Sequence, residues 1–310
     1  MSTVLLSGGT GLIGSNLTRH LLEKNYHVII LTRDAKMKSG NPKIKYSYWN
    51  VKDGKIDEAD VNACDHIVHL AGAGVMDKNW SEEYKKIIIE SRTKSAALII
   101  SILYKQKHKV KSFVSASAIG WYGKKDKDIS DQAFVETDLP AEDFLGETCV
   151  LWEAAVKPVE ELGVRLVKLR TGIVLSNEGG AFTEFKRPLQ FGVAAIFGKG
   201  KQMISWIHID DLCRMYVASI ENSFMSDSYN AVSPNPVTQK EFMIHLAKKM
   251  RNLFYTPIHI PQFILKLLLG KRSTEILKSS NVSCKKIKST GFTFLYPTLE
   301  SALDQLLKKK

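Results

Sequence analysis

Short apolar runs alternate with segments of helical periodicity over the first half of the chain. An apolar run bounded by turn residues is typical of a buried strand, whereas apolar residues spaced three and four apart indicate an amphipathic helix. Strands are predicted at Val4–Ser7, His27–Thr32, Ile44–Tyr48, His66–Ala71, Lys111–Ser115 and Arg165–Leu169, and helices at Gly14–Lys24, Ser81–Tyr104 and Cys149–Leu162. Such alternation predicts an α/β fold, a doubly wound parallel sheet with helices on both faces.

The pattern becomes irregular after Leu175, where the loop Ser176–Gly180 begins. A run with strand character at Trp206–Asp211 then leads into a predicted helix at Leu212–Glu221. We therefore expect a large domain of residues 1–174 and 206–230, and a smaller C-terminal lobe of residues 175–205 and 231–310 that holds a substrate. The apolar stretch Phe263–Leu269 contains a lysine and is too short to span a bilayer, so a buried helix is expected there.

A glycine-rich turn, Ser7–Gly14, follows the first strand and opens the first helix. Its glycines fit both the GxGxxG and the GxxGxxG spacing, which allow a tight turn, close approach of a diphosphate and close packing of helix on strand. The helix N-terminus would face the phosphate charge. The residues predicted to contact a dinucleotide are Gly8, Gly9, Thr10, Gly11, Leu12, Ile13 and Gly14. A glycine-rich turn without a ligand is the alternative.

The end of the second strand bears on which dinucleotide is bound. An acidic residue there holds the ribose 2′-hydroxyl of NAD, whereas an arginine accommodates the 2′-phosphate of NADP. In this sequence Arg33 precedes the acidic residue Asp34, and Thr32 supplies a hydroxyl group directly before Arg33. We therefore predict NADP(H) as the cofactor, with Thr32 and Arg33 in contact with it. NAD(H) is favoured instead if the carboxylate of Asp34 points inward.

The chain has 310 residues, of which 44% are hydrophobic, enough for one large domain with a smaller lobe. Its formal net charge of +12 raises the question of an anionic partner. The lysines are scattered and lack the interleaved aromatic residues of a base-stacking platform, so neither nucleic acid nor a membrane is expected as a partner. RNA binding remains as a weaker alternative.

The four cysteines, Cys64, Cys149, Cys213 and Cys284, are far apart and form no CxxC pair. This spacing predicts reduced, buried thiols, with neither a disulfide framework nor a metal site. The N-terminus runs directly into the first strand, with no signal peptide, so a cytoplasmic protein is expected. The sequence leaves the oligomeric state open, with a homodimer as one option.

The motifs together resemble the extended short-chain dehydrogenase/reductase superfamily, and within it the branch called epimerase family proteins, which is NAD-dependent epimerase/dehydratase-like and carries a DUF1731-type C-terminal segment. The matching segments lie at 8–17, 31–34, 69–75, 115–123, 143–155, 169–182, 205–212, 233–242 and 291–303. The resemblance implies a Rossmann-like fold with a smaller C-terminal substrate lobe. It also implies an oxidoreductase or epimerase that acts on a small carbonyl or hydroxyl compound, for which a sugar nucleotide is one option. Leu70, Ala71 and Gly72 would contact the cofactor, as would Ser115 at the end of the next strand.

The resemblance also identifies a departure at the catalytic residues. The superfamily uses a serine or threonine with a Tyr-x-x-x-Lys pair, in which the tyrosine exchanges a proton with the substrate. Ser117 matches the serine, but Leu145 and Cys149 stand where the tyrosine and the lysine belong. Tyr122 is the best substitute for the missing tyrosine, and packing beneath the lobe is its alternative role. The sequence therefore predicts Ser117 and Tyr122 as catalytic residues.

Other polar residues are weaker candidates. Sugar-nucleotide enzymes of this superfamily often carry an arginine just before the strand at Trp206, where this chain has Ile204-Ser205. Groups that could contact substrate instead are Asp143, Glu147, Lys186, Arg187, Lys199, Lys201 and His208, each of which has a solvated or structural alternative. Because the Tyr-x-x-x-Lys pair is missing, an NADP(H)-binding sensor or scaffold without catalysis is the competing hypothesis.

Overall fold

The computed structural model describes residues 2–123 and 132–308. The strands are β1 Thr3–Ser7, β2 His27–Thr32, β3 Ile44–Asn50, β4 Lys55–Ile56, β5 His66–His69, β6 Ser112–Ala118, β7 Arg165–Thr171, β8 Ile173–Leu175, β9 Val193–Phe197, β10 Met203–Ile204, β11 Trp206–His208, β12 Asp227–Ala231, β13 Val237–Thr238 and β14 Thr256–Ile260. Eight of them form one sheet in the order β12-β7-β6-β5-β1-β2-β3-β4, parallel except for β4. The predicted α/β fold is confirmed.

The helices are α1 Leu12–Glu23, α2 Glu58–Ala63, α3 Glu82–Lys105, α4 Phe144–Val156, α5 Ala181–Gln190, α6 Ile209–Glu221, α7 Gln239–Arg251, α8 Gln262–Leu269, α9 Ser273–Leu277, α10 Lys285–Ser289 and α11 Leu299–Leu307. Helices cover both faces of the large sheet. Val4 and Leu6 of β1 pack with α1 and α6, whereas Leu5 packs with α2 and α3 on the other face. Successive strand residues face opposite sides, so an unbroken apolar strand is buried by two helical layers.

The chain reverses its direction of travel across the sheet at β1. From β1 it moves outward to β2 and β3, and it then returns to β5 on the other side of β1. In open parallel sheets, ligands bind at such a switch point, outside the carboxyl ends of the strands. The ends of β1, β2, β5 and β6 therefore mark the edge on which a site is expected.

A separate hydrophobic core lies in the C-terminal half. Phe182 of α5, Phe242 of α7 and Leu303 of α11 are fully buried there with Trp206. Three strand pairs, β8–β11, β9–β14 and β10–β13, frame this core. β12 joins the edge of the large sheet instead. The domain limits expected from the sequence stay a prediction.

Three helices begin earlier than the sequence suggested, and the first is α1, which begins at Leu12 rather than Gly14. α4 begins at Phe144 rather than Cys149, because the side chain of Asp143 accepts the backbone N–H of Gly146 at 2.9 Å and caps the helix. α6 begins at Ile209 because His208 is its capping residue. Asp211 lies in the first turn of α6 and accepts the backbone N–H groups of residues 295 and 296.

The helix predicted at Phe263–Leu269 is confirmed, but the prediction that it is buried is wrong. The helix α8 forms, but Phe263, Leu267 and Leu268 are 70%, 83% and 69% exposed, and only Leu265 is buried. When a helix with apolar residues on every face packs against the protein on one side only, the residues on that side are buried. The apolar side chains on its other sides remain exposed to solvent. Across residues 2–123 and 132–308, every helix is too short or too polar to cross a membrane.

Candidate functional site

The glycine turn Ser7–Gly14 is folded tightly against the sheet edge. The Gly11 N–H donates to the carbonyl oxygen of Gly8 at 3.1 Å, and Gly8 has a φ of 71°, a conformation that favours glycine. A Cβ on Gly14 would overlap that same Gly8 oxygen. The first turn of α1 therefore approaches β1 more closely than any other residue type would allow.

The N-terminus of α1 is open to a ligand. Gly11 occupies the capping position and supplies no side-chain hydrogen bond to the first turn. Thr10 and Gly11 are exposed, whereas Leu12 and Ile13 are partly buried beside them. The first N–H groups of a helix need acceptors, and together with the helix dipole they favour an anion. The predicted diphosphate-binding residues thus form a suitable cradle.

The end of β2 presents Arg33 to solvent. Within the described parts of the chain, its guanidinium has no ion-pair or hydrogen-bond partner. The carboxylate of Asp34 is occupied locally, since its Oδ1 accepts the backbone N–H of Lys36 at 2.9 Å. Thr32 is buried, and its hydroxyl accepts the N–H of Asp34 at 3.1 Å. Arg33 is therefore free to bind an anion, and Asp34 is turned toward its own loop.

The segment after β5 lies directly beside the glycine turn. The N–H of Leu70 donates to the carbonyl oxygen of Ser7 at 3.1 Å, and a Cβ on Gly8 would lie 2.8 Å from the carbonyl carbon of Leu70. Gly72 is exposed at this edge, and Ala71 is half-buried. Ser115 on β6 is buried, and its hydroxyl donates to the carbonyl oxygen of Ala116 at 2.9 Å. The structure brings the predicted cofactor residues together along one edge.

A loop from the C-terminal half contacts the first turns of α1. The side-chain amide of Asn16 donates to the Glu178 carboxylate at 2.7 Å. A Cβ on Gly180 would lie 3.2 Å from the side chain of Leu12. Sequence analysis identified Ser176–Gly180 only as a loop. Its paired glycines were the available signal that it approaches another part of the chain.

A buried ion pair lies behind the end of β6. Arg170 on β7 and Glu153 on α4 meet side by side, with Nε to Oε1 at 2.8 Å and Nη2 to Oε2 at 3.1 Å. Both side chains are almost inaccessible. The Ser117 hydroxyl donates to Oε1 at 2.8 Å, and the Ser228 hydroxyl donates to Oε2 at 3.2 Å. Such a pair is stable only when its remaining hydrogen-bonding capacity is satisfied, as it is here.

Arg170 also fixes the segment that follows β6. Its Nη1 donates to the Tyr122 hydroxyl at 3.2 Å and to the Glu136 carbonyl oxygen at 3.0 Å. Its guanidinium lies 3.6 Å from the ring centre of Trp121. The Tyr122 hydroxyl in turn donates to Oδ1 of Asn230 at 2.6 Å. Burial raises the pKa of Tyr122 to about 12, although Arg170 opposes the shift. The phenol is therefore neutral at ordinary pH.

These contacts bear on the two predicted catalytic residues. Ser117 is 2% exposed and Tyr122 is fully buried, and both hydroxyls donate to groups within the protein. Their direct participation in proton transfer stays a prediction, and the geometry favours a positioning role. Sequence analysis did not single out Glu153 and Arg170, because each is remote along the chain from the residues it holds.

The positions of the missing pair are apolar or neutral. Leu145 packs against the segment after β6, where a Cβ on Gly120 would lie 3.2 Å from the Leu145 Cβ. The Cys149 thiol donates to the carbonyl oxygen of Ala118 at 3.6 Å. Burial, together with the nearby charge of Glu153, raises the pKa of Cys149 to about 12. Neither residue supplies the charge or the proton of the residues that it replaces.

The remaining candidates are engaged in structural contacts or exposed. His208 is buried, caps α6 and contacts Gln305 at 2.9 Å, and burial lowers its pKa. Asp143 caps α4 and pairs with Lys278 at 2.8 Å. In addition, Lys186 contacts Asn177, Arg187 pairs with Glu184, Glu147 is exposed, and Lys199 and Lys201 line a cavity of about 490 Å³ with Gln202, Gln262 and Ser279.

We predict that Arg170→Met lowers the free energy of unfolding by about 3–5 kcal/mol, because the buried Glu153 carboxylate loses its paired hydrogen bonds and keeps only Lys168, 3.7 Å away, as a counter-charge. The double variant with Glu153→Leu should regain most of this loss. Arg187→Met is the matched control, since its pair with Glu184 is exposed and contributes under about 1 kcal/mol. Urea unfolding gives the free energy of unfolding of Arg170→Met, of the double variant and of Arg187→Met. Equal stability of Arg170→Met and Arg187→Met would contradict the prediction.

Comparison with known proteins identifies the type of site. Residues 4–232 match the model of the NAD dependent epimerase/dehydratase family. Residues 260–306 match DUF1731, a domain of unknown function. The first match contains the glycine turn, Arg33, the segment after β5 and the ion pair of Glu153 with Arg170.

Full-length relatives agree with these matches. The chain is 36% identical over 307 residues to the epimerase family protein SSP1921 of Staphylococcus saprophyticus, covering 99% of this chain and 100% of that protein. It is similar in fold to human epimerase family protein SDR39U1 with NADPH, with a TM-score of 0.84, 24% identity, and 99% and 100% of the two chains covered. It also resembles UDP-glucose 4-epimerase of Thermus thermophilus in complex with NAD, with a TM-score of 0.75, 17% identity and 99% coverage of both chains.

Proposed function

Because the chain belongs to the NAD dependent epimerase/dehydratase family, we propose that it binds NADP(H) at the glycine turn and acts on a small carbonyl or hydroxyl substrate. When bound, the nicotinamide supplies or accepts a hydride. The observation that carries the proposal is the uncapped N-terminus of α1, which opens beside the close-packed glycine turn at the switch point of the sheet.

The phosphate-binding end of this site is supported by backbone geometry. Gly8 and Gly14 are placed where any side chain would overlap backbone atoms, so the turn packs closely on itself and on the segment after β5. Thr10 and Gly11 are exposed in this turn. A dinucleotide diphosphate is the anion that fits an uncapped helix N-terminus adjoining a parallel strand.

The choice of NADP(H) over NAD(H) rests on Arg33. Its guanidinium is exposed at the end of β2 and has no partner in the described residues, whereas the carboxylate of Asp34 accepts the N–H of Lys36. A guanidinium binds a phosphate through two parallel hydrogen bonds, which suits the 2′-phosphate of NADP(H). A carboxylate aimed at a ribose hydroxyl would have favoured NAD(H), and Asp34 does not point that way.

The nicotinamide end of the site is assigned to the edge formed by β5 and β6. Leu70, Ala71 and Gly72 provide a partly exposed edge there, continuous with the glycine turn. Ser117 and Tyr122 lie behind the end of β6 and support it through Glu153 and Arg170. Water is then the better supported proton source, because the phenol of Tyr122 is enclosed.

A cofactor-binding protein without turnover is the second candidate. Leu145 and Cys149 favour it, since the first has no exchangeable proton and burial holds the pKa of the second at about 12. Oxidation of NADPH with a panel of aldehydes, ketones and quinones separates the two functions. Turnover of any compound of the panel supports a catalytic function. Tight binding of NADPH without turnover of any of these compounds supports a sensor.

We predict that the protein, stripped of bound nucleotide, binds NADPH at least about tenfold more tightly than NADH, which corresponds to the roughly 1.4 kcal/mol of one charge-assisted contact. Arg33→Ala should abolish this preference by weakening NADPH and leaving NADH unchanged. Asp34→Ala is the matched control and should keep the preference. Fluorescence titration measures each dissociation constant. Equal weakening of both nucleotides by Arg33→Ala would contradict the assignment of the 2′-phosphate, and failure of both nucleotides to bind would overturn the site.

We predict that Ser117→Ala and Tyr122→Phe lower turnover by less than about 100-fold and leave its pH profile unchanged. A residue that transfers the proton directly raises the rate about 10²–10⁴-fold, and its titration makes the rate depend on pH. A residue that only positions other groups has a smaller effect on the rate and does not add its own titration to the pH profile. Steady-state rates across pH measure this difference with a substrate from the carbonyl panel. A loss above that limit with an altered profile would show direct proton transfer, and wild-type rates in both variants would remove them from the catalytic site.

A further inference from the structure

Arg92 is a buried cation in the middle of α3. Its side chain is 9% exposed, and its guanidinium makes one hydrogen bond in the described structure, from Nη1 to the carbonyl oxygen of Ile88 at 2.8 Å. That acceptor belongs to its own helix, four residues earlier. A guanidinium has five N–H donors in a fixed plane. Most of the hydrogen-bonding capacity of Arg92 is therefore unused.

The guanidinium is held between an aromatic ring and exposed backbone. Its central carbon lies 4.7 Å from the ring centre of Trp152 on α4. A Cβ on Gly72 would lie 3.0 Å from that carbon and 3.2 Å from each terminal nitrogen. Similar distances to three atoms of the group indicate that Gly72 covers the flat face of the guanidinium. The absence of a side chain at Gly72 thus keeps Arg92 in place.

Within the described residues, the charge of Arg92 has no carboxylate as a counter-charge nearby. No carboxylate in residues 2–123 and 132–308 lies within 4.0 Å of it. Two ionisable groups in that part of the chain lie near it, and both are neutral: burial raises the pKa of the Cys149 thiol to about 12, and burial also raises the pKa of the Tyr84 phenol. Burial lowers the pKa of Arg92, yet arginine remains protonated in proteins. A desolvated cation is costly unless it is paired, and contact with Trp152 offsets only part of that cost.

Arg92 lies beside the proposed active site and away from the phosphate-binding end. The loop that covers it begins at Gly72, and the Ala73 N–H donates to the hydroxyl of Ser91 at 2.9 Å. α3 packs on the face of the sheet opposite to α1. The phosphates are assigned to α1 and Arg33, so the place of Arg92 corresponds to the substrate.

The C-terminal half reaches the same loop. Arg272 donates to the carbonyl oxygen of Met76 at 2.8 Å and to the side chain of Asn79 at 2.7 Å. Lys278 pairs with Asp143 at the start of α4 at 2.8 Å. The segment between them therefore bridges the β5 loop and α4, the two elements that flank Arg92. A substrate bound there would be enclosed on that side.

We infer that Arg92 binds an anionic group of the substrate, a carboxylate or a phosphate, through the guanidinium edge left free between Gly72 and Trp152. The inference rests on the proposed function, because it places the substrate next to the nicotinamide end of the site. A planar guanidinium recognises either anion through paired hydrogen bonds. The binding of such an anion supplies the counter-charge that the protein itself lacks.

The experiment compares wild type with Arg92→Met, which keeps the length of the side chain and removes its charge. Thermal unfolding is followed with inorganic phosphate, acetate and pyruvate at constant ionic strength, with and without saturating NADPH. We expect phosphate or a carboxylate to raise the Tm of the wild type in a saturable manner, and Arg92→Met to lose that shift. Arg92→Lys should weaken it at least about threefold, since it keeps the charge without the planar pair of donors.

A second readout separates binding from a structural role. Without ligand, Arg92→Met should unfold at or above the Tm of the wild type, because an unpaired buried charge is removed. A fall of more than about 5 °C would overturn the inference in favour of a packing role. Anion shifts that are absent from the wild type, or equal in Arg92→Met, would overturn it as well.

NADPH titration distinguishes this failure from failure of the proposed function. An Arg92→Met variant that binds NADPH as wild type does supports the assignment to substrate, whereas a loss of at least about tenfold would assign Arg92 to the cofactor and overturn it. Wild type that binds no NADPH would refute the proposed function. The anion shifts of the nucleotide-free protein would then still decide the role of Arg92.

Discussion

The ion pair between Glu153 and Arg170 is the interaction on which the arrangement at the end of β6 depends. It joins α4 to β7, and through the hydroxyl groups of Ser117 and Ser228 it reaches β6 and β12. Arg170 extends the network to Tyr122. Two charges removed from water are stabilised only if all these contacts form together. The positions of one helix and three strands are thereby coupled. The sheet edge proposed to bind the nicotinamide is formed in part by one of these strands, β6.

Three arginines illustrate how burial and pairing decide what a guanidinium does. Arg170 is buried and fully paired, so it is structural. Arg33 is exposed and has no partner among residues 2–123 and 132–308, so a phosphate can reach it. Arg92 is buried with no carboxylate beside it in that part of the chain, and it is therefore suited to an anion that arrives with a ligand. The residue type is the same in each case, and only the environment distinguishes scaffold from binding group.

The fold and the glycine turn could be predicted from sequence because their signals are local. The turn Ser7–Gly14 carries its own spacing, and β1 and β2 are uninterrupted apolar runs. The surroundings of Ser117 and Tyr122 could not be predicted, since their partners Glu153 and Arg170 lie 36 and 48 residues away along the chain. The exposed face of α8 was missed for a related reason, because an apolar pattern does not state how many sides of a helix find a neighbour.

The contact between Glu178 and Asn16 has a kinetic consequence. It places a loop of the C-terminal half over the first turns of α1, beside the uncapped helix end. A dinucleotide seated at that end would lie beneath this loop, so its release would require the loop to move. Exchange of the nucleotide would then be slower than exchange of a ligand at the opposite face. The rate at which the proposed nucleotide leaves would then be limited by the opening of the contact between Asn16 and Glu178.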